Sequence, residues 1–428
     1  MDFNPTKYSL VCCADGHVFE ETGWSLVDSQ CECPSLIRAK YENGQYIPRE
    51  DLDGFYRYAN WLPVHRTLKG SGIPVTYKSV KLAAELGLEN LYITFSGWWP
   101  EIGAKMATCS FKETEAYSVC GRLCEANKKV LVVASAGNTA RAFAKVCSEN
   151  NIPLLVSIPE DNISALWFSE PLNDCVKIIA SPKGSDYYDA IALADKVCTD
   201  SAFMAEGGAK NIARRDGMGT TLLSAVEVIG RIPDAYFQAI GSGTGTIAVW
   251  ENNLRLIEDG RWGQHKMRLY PSQNAPFTVM FDSWKQHSRQ LIEMEPDKAR
   301  SAAAEIDAKV LSNRKPPYSL AGGLFDAMQD AGGDIYKVSN DELRFWKQRF
   351  AELEGIDIHD APAVAVASLA MAVKEGAVRN DETIMLNITG GGEELAKSRQ
   401  EVFYAQPHIV LDPALPTEDI LDAVNKLF

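Results

Sequence analysis

Ala235-Tyr236-Phe237-Gln238-Ala239-Ile240-Gly241-Ser242-Gly243-Thr244-Gly245 is the stretch on which the fold turns. Its first six residues read as a buried strand, and Ile247-Ala248-Val249-Trp250 reads as the start of a helix, so three glycines turn the chain between them. Glycine lets backbone N–H groups approach an anion closely, and the helix that follows points the positive end of its dipole at the same place. A phosphate group fits there. A plain strand-to-helix turn uses the same glycines, and a nicotinamide dinucleotide loop uses some of them. The dinucleotide reading wants an acidic residue about 20 residues further on. Glu258 is the nearest candidate and is ill placed.

Strand and helix signals alternate on both sides of this stretch. Leu91–Phe95 reads as strand, Lys112–Asn127 as helix and Lys129–Ala134 as strand. Ile152–Ile158 and Cys175–Ile179 follow as strands, then Tyr187–Cys198 as helix and a short strand near Phe203. Residues 207–395 resume a larger unit, with helices over 216–230 and 340–354 and strands over 234–240, 267–274, 333–338 and 383–389. Such alternation predicts parallel sheets with helices on their faces. Residues 1–57 differ, being short strands and turns rich in Gly, Cys and polar residues. The expected division is an N-terminal segment over 1–57, a large domain over 58–127 and 206–428, and a small α/β subdomain over 128–205.

A chain of 428 residues is long enough for a large core and more than one domain. Hydrophobic residues at 46% and charged residues at 23% suit a soluble globular protein. No apolar run reaches the length of a membrane span, and Met1-Asp2-Phe3-Asn4-Pro5 lacks the layout of a secretion signal. A cytoplasmic protein is expected. A formal charge of −14 argues against a nucleic-acid partner, and it requires local Lys and Arg to draw in anionic substrates.

Ten cysteines without an export signal read as thiols, most of them small core residues. Cys12, Cys13, Cys31 and Cys33 are four cysteines flanking a hairpin-like stretch, the number a tetrahedral zinc site needs. Their spacing is wrong for a ribbon, because one pair is adjacent and the other is separated by a single residue. A remnant that holds no metal is expected, although His17 is a substitute ligand.

Two further segments carry chemistry. Ser110-Phe111-Lys112 offers an amine that can hold a carbonyl cofactor as an imine. Lys105 is a rival seven residues earlier, but it lacks the Ser-Phe context. Ser135-Ala136-Gly137-Asn138-Thr139 lies at a strand-to-helix junction, where its donors suit a carboxylate and where an N-cap cluster would look the same. An amine, a donor loop and a phosphate loop together make a pyridoxal 5′-phosphate site.

In that order, with Asn387-Ile388-Thr389-Gly390-Gly391-Gly392 late in the chain, these segments resemble the fold type II pyridoxal-phosphate enzymes and their threonine synthase family over residues 58–400. The resemblance implies an α/β fold like the β chain of tryptophan synthase: two open, twisted, mostly parallel sheets flanked by helices. Threonine synthases carry Asn-Pro-Thr-Gly-Ser-Phe-Lys-Asp-Arg around the imine lysine. Here Met106-Ala107-Thr108-Cys109-Ser110-Phe111-Lys112-Glu113-Thr114 keeps the Thr, Ser, Phe and Lys and departs at the Pro, Gly, Asp and Arg positions. Those departures, with Trp98-Trp99-Pro100 and the degenerate cysteine ribbon, resemble the cysteate synthase branch found in methanogens.

The resemblance implies a reaction and roles. O-Phospho-L-serine and sulfite give L-cysteate and phosphate, for coenzyme M biosynthesis, by β-replacement through a Lys112 aldimine and an aminoacrylate. Lys112 is implied as imine former and base. Asn138 faces the cofactor ring hydroxyl, Gly241, Ser242, Gly243, Thr244 and Gly245 hold its phosphate, and Thr389 sits by the pyridine nitrogen. Ser135, Ala136, Gly137 and Thr139 are implied at the substrate carboxylate. Arg214, in Asn211-Ile212-Ala213-Arg214, is implied at the substrate phosphate, with Lys105 as a weaker anion contact. Arg141 and Arg215 are candidates of the same rank as Lys105, and all three read as solvated surface charges. No metal, nucleic acid or membrane is expected as partner, and a homo-oligomer is. Threonine synthase, acting on O-phosphohomoserine and water, and a cofactor-binding protein without turnover are the alternatives.

Overall fold

The structure, a computed structural model, describes residues 3–124, 127–135 and 137–428. Two sheets organise it. The larger has six strands in the order Tyr336–Val338, Arg268–Asn274, Ala235–Ala239, Thr383–Ile388, Asn90–Phe95 and Val75–Lys78. All are parallel except the last, which pairs antiparallel with Asn90–Phe95. Every residue of Ala235–Ala239 and Thr383–Ile388 is buried, as a central parallel strand covered on both faces requires.

The smaller sheet has five parallel strands: Phe203–Ala205, Val130–Ala134, Leu154–Pro159, Val176–Ser181 and Ile409–Val410. Its last strand comes from the C-terminal tail. Leu411, Ile420 and Val424 then pack with Val132, Ile179 and Leu193, so the tail completes the smaller unit although the sequence reading placed all of 206–428 with the larger. A shared core joins the two sheets. It runs from Leu131 and Val156 through Val119 and Leu222 to Tyr236 and Leu269.

Residues of the N-terminal segment form a three-stranded antiparallel ribbon, Val18–Phe19, Tyr8–Cys12 and Ile37–Tyr41. The predicted helices are present, the one over 340–354 with the expected bounds and others with shifted ends. The helix from Lys112 stops at Arg122, where Leu123 turns extended and Asn127 closes a turn onto Cys124. The helix expected from 216 begins at Ile212, because Asn211 caps it by accepting the Ala213 N–H at 3.0 Å. Asp360–Lys374, a buried helix against the larger sheet, was not anticipated.

Candidate active site

Loops at the carboxyl ends of strands from both sheets meet around a cavity of about 650 Å³. That is where open α/β sheets bind ligands. Lys112, Ser135, Gly137, Asn138, Thr139, Arg214, Gly241 through Gly245 and Thr389 all line it. Ala136 lies outside the described residues. Lys105 is exposed on the two-stranded ribbon of Trp98–Trp99 and Ala104–Lys105 and does not line the cavity.

Two arginines read as solvated are buried. Arg141 donates to the Thr108 carbonyl at 2.7 Å, lies 3.5 Å from Glu393 and stacks over the Trp167 ring at 4.6 Å. Arg215 pairs with Glu251 at 3.0 Å. Arg141 is neutralised by the half-buried Glu393 and Arg215 by the buried Glu251, which a composition-based expectation of surface charge does not foresee.

Lys112 opens its helix, and the loop before it is stitched to the loop bearing Thr389. Ser110 forms an antiparallel bridge with Gly390, Phe111 N–H donates to the Thr389 carbonyl at 2.9 Å, and Gly391 N–H donates to that of Cys109 at 3.1 Å. These bonds carry the lysine and the threonine to one wall. Cys109 holds φ at +53°, a left-handed conformation, at the position where the threonine synthase motif has glycine.

A buried chain of charges surrounds the amine. Lys112 Nζ lies 3.3 Å from Glu115 Oε2, and Arg214 Nη1 lies 3.3 Å from the other oxygen of the same carboxylate. Arg214 also grips Glu206 through two nitrogens, Nε donating at 2.8 Å. Burial pushes the Lys112 amine down, Glu115 pulls it up, Arg214 pushes it down again, and the net shift is downward. Burial works against the Arg214 charge, but Glu115 and Glu206 outweigh it and hold the guanidinium above its ordinary value. Arg214 therefore reaches the cavity with its charge already matched twice.

Only a neutral amine attacks an aldehyde. The rate at which the apoprotein takes up pyridoxal phosphate should thus rise with pH through a midpoint below the ordinary lysine range, as followed by stopped-flow absorbance. A midpoint at or above that range would show that burial does not depress the amine.

The glycine loop fits a phosphate. A Cβ at Gly241 would lie 2.8 Å from the Val310 carbonyl oxygen, one at Gly245 would lie 2.6 Å from the Gln238 side chain, and Gly243 has φ +78°. The helix Thr244–Asp259 begins at once, and Ser242 and Thr244 hydroxyls face each other at 2.8 Å. The loop lining the cavity thus offers backbone N–H groups, a dipole end and two hydroxyls, and its glycines let Val310 and Gln238 pack against its backbone. With the depressed amine of Lys112 and Thr389 on the same cavity, the residues fit pyridoxal phosphate.

Sequence reasoning missed several lining residues. His359 precedes the unanticipated helix Asp360–Lys374, and its Nε2 lies 3.1 Å from Glu393, which Arg141 also holds. Asn138 Oδ1 accepts from that same Arg141 at 3.3 Å, so the loop that bears Asn138 is tied to the network. Tyr187, Tyr188, Lys309 and Lys315 also line the cavity. No short motif marks them. Glu115, three residues after Lys112 on the same helix, was legible from helical spacing alone.

Of the four N-terminal cysteines, Cys12 and Cys31 come together with Asp15, their ligand atoms within 4.8 Å of one another. Cys13 and Cys33 are not part of that group, and His17 instead bonds Asp28 at 2.7 Å. All ten cysteines are thiols. Among the described residues no helix is long and apolar enough to cross a membrane.

Residues 104–390 match the family model of pyridoxal-phosphate dependent enzymes. The cysteate synthase of Methanocella paludicola is 44% identical over 98% of this chain and 97% of its own. That of Methanosarcina acetivorans is 46% identical over 90% and 93%. Among solved structures, maize serine racemase superposes with a TM-score of 0.58 at 15% identity, over 76% of this chain and 90% of its own. A threonine deaminase from Solanum lycopersicum gives 0.56 at 16%, over 76% and 86%. At such identities the structural likeness establishes the fold, that of the fold type II enzymes.

Proposed function

The chain belongs to the pyridoxal-phosphate-dependent enzymes, among the cysteate synthases, and on that premise we propose how it joins sulfite to O-phospho-L-serine. The reaction breaks the bond between the β-carbon and the phosphate oxygen and forms a carbon–sulfur bond to sulfite. The α-proton leaves and returns. L-Cysteate and phosphate are the products. The observation that carries this reading is 44% identity to a cysteate synthase over 98% of the chain, in a chain whose cavity gathers Lys112, Asn138, Gly241–Gly245 and Thr389.

Pyridoxal phosphate, when bound, supplies the electron sink that makes the α-proton acidic. Lys112 would hold it covalently, Gly241–Gly245 its phosphate, Asn138 its ring hydroxyl and Thr389 its ring nitrogen. The protein's own work is positioning and proton handling. Lys112 Nζ takes the α-proton and later gives one back, a task suited to an amine whose burial lowers its basicity. Glu115 keeps that amine on the cavity wall at 3.3 Å. The Thr139 N–H and the hydroxyls of Ser135 and Thr139 meet the substrate carboxylate at the start of the helix Asn138–Glu149, while the Ser135 N–H is given to the Ser157 carbonyl at 3.0 Å and the Gly137 N–H to Ser135 Oγ at 3.1 Å. Thr389 offers a neutral hydroxyl, which does not hold a ring nitrogen protonated as a carboxylate would. Expulsion of a good leaving group is then favoured over transamination. A cytoplasmic setting agrees with ten unpaired thiols, and the homo-oligomer belongs to the same reading.

The purified, cofactor-loaded protein should release phosphate from O-phosphoserine only when sulfite is supplied, with L-cysteate identified by mass. Phosphate release from O-phosphohomoserine with threonine formed, and none from phosphoserine, would replace this reading with threonine synthase.

A further inference from the structure

O-Phosphoserine brings a carboxylate and a phosphate, and sulfite brings a second oxyanion, into a protein of net charge −14. The cations that receive them have to be ones the protein has not already neutralised. Basic side chains on the cavity wall are Lys112, Arg214, Lys309, Lys315 and His359. Lys112 is committed to the cofactor, Arg214 is paired with Glu115 and Glu206, and His359 with Glu393. Lys309 and Lys315 make no ion pair among the described residues. Lys309 Nζ donates to the Ala304 carbonyl, and Lys315 Nζ lies 5.6 Å from the centre of the Tyr188 ring.

The segment that bears them is fixed at both ends. Its start passes so close over the glycine loop that a Cβ on Gly241 would meet the Val310 carbonyl at 2.8 Å and Leu311 Cα at 3.2 Å. Near its other end, Arg314 reaches across to the smaller unit, pairing with Asp186 at 2.9 Å and lying 5.5 Å from the Tyr188 ring. Asp186 neutralises Arg314 and leaves the two lysines without a counter-charge. Between them the segment turns on local bonds, Ser312 Oγ donating to the Lys309 carbonyl at 2.8 Å and Lys315 N–H to Asn313 Oδ1 at 2.9 Å.

We propose that Lys309 and Lys315 form the oxyanion subsite of the cavity, receiving the substrate's phosphate and then, after phosphate leaves, sulfite. The inference rests on the phosphoserine and sulfite reading above. Two exposed ammonium groups suit a site that must exchange one oxyanion for another in every turnover. A lysine head is compact, strongly hydrated and mobile on its stem, whereas a buried bidentate arginine would retain the anion. Their exposure also makes capture sensitive to ionic strength.

The test is calorimetric titration of the cofactor-loaded enzyme with inorganic phosphate at low ionic strength, with sulfite as competitor. Wild type should bind phosphate, and sulfite should displace it. Lys309→Met and Lys315→Met should each weaken phosphate binding about tenfold, the size expected for one charge-assisted hydrogen bond. The double variant should bind about a hundredfold more weakly. Lys315→Arg should keep most of the affinity, and cofactor absorbance should be unchanged throughout. Unchanged phosphate affinity in the double variant, or no phosphate binding by wild type, overturns the subsite. Failure of sulfite to compete with bound phosphate overturns the sharing of one subsite. If phosphate binding falls as stated but phosphoserine and sulfite yield no cysteate, the subsite stands and the assigned reaction fails.

Discussion

Replacing Lys112 by Ala should lower the rate of cysteate formation by at least about a thousandfold, since it removes both the covalent hold on the cofactor and the base that moves the α-proton. The phosphate loop, Asn138 and Thr389 remain, so pyridoxal phosphate should still be taken up, more weakly and without a covalent link. Borohydride separates the two contributions. In the wild type it should fix the cofactor on the peptide containing Lys112, identified by mass, and in Lys112→Ala it should fix nothing. Added amines such as methylamine should restore part of the proton transfer, because the cavity of about 650 Å³ has room for them once the side chain is gone. Cofactor fixed on another peptide of the variant would transfer the role to a different lysine. Lys105 would not be that lysine, being exposed and away from the cavity wall.

What the sequence revealed of this site follows from what each residue needs. The glycine loop was legible because closely approached backbone has no substitute for glycine, as the contacts awaiting a Cβ at Gly241 and Gly245 show. Lys112 was singled out by its motif even with Cys109 in the place of glycine, and the backbone at Cys109 is left-handed, with φ +53°. Other glycines have a packing role. Gly217 and Gly219 lie inside the helix Ile212–Ile229, where a Cβ would strike the Thr114 carbonyl at 2.5 Å or Asn252 at 1.9 Å. They serve close packing of that helix against its two neighbours. The charged partners were illegible for another reason. Arg141 with Glu393, Arg215 with Glu251 and Arg214 with Glu115 are joined by folding across distances in the chain, and only tertiary packing distinguishes such groups from solvated charge. The C-terminal strand Ile409–Val410 belongs to the same class, since its partner Val176–Ser181 lies far back in the sequence.

Arg214→Ala should therefore be costly in a way that a substrate-binding arginine is not. The change leaves Glu206, with 6% of its side chain exposed, and Glu115, fully buried, without their shared cation. Breaking a buried pair by removing one partner costs about 3–5 kcal/mol. The midpoint of urea unfolding should fall accordingly, and Glu206→Gln added to Arg214→Ala should recover part of it by removing one orphaned charge. The sign of the effect on Lys112 is fixed by the same geometry. Burial and Arg214 lower the lysine's basicity, while Glu115 and Glu206 raise it, so removal of the arginine leaves the carboxylates opposed by burial alone. The Lys112 amine then moves up toward its ordinary value, and the pH midpoint of cofactor uptake moves up with it. At neutral pH the variant should load cofactor more slowly and turn over more slowly, while the KM for phosphoserine changes little. The opposite split, a large rise in KM with unfolding and cofactor uptake unaltered, would place Arg214 on the substrate phosphate.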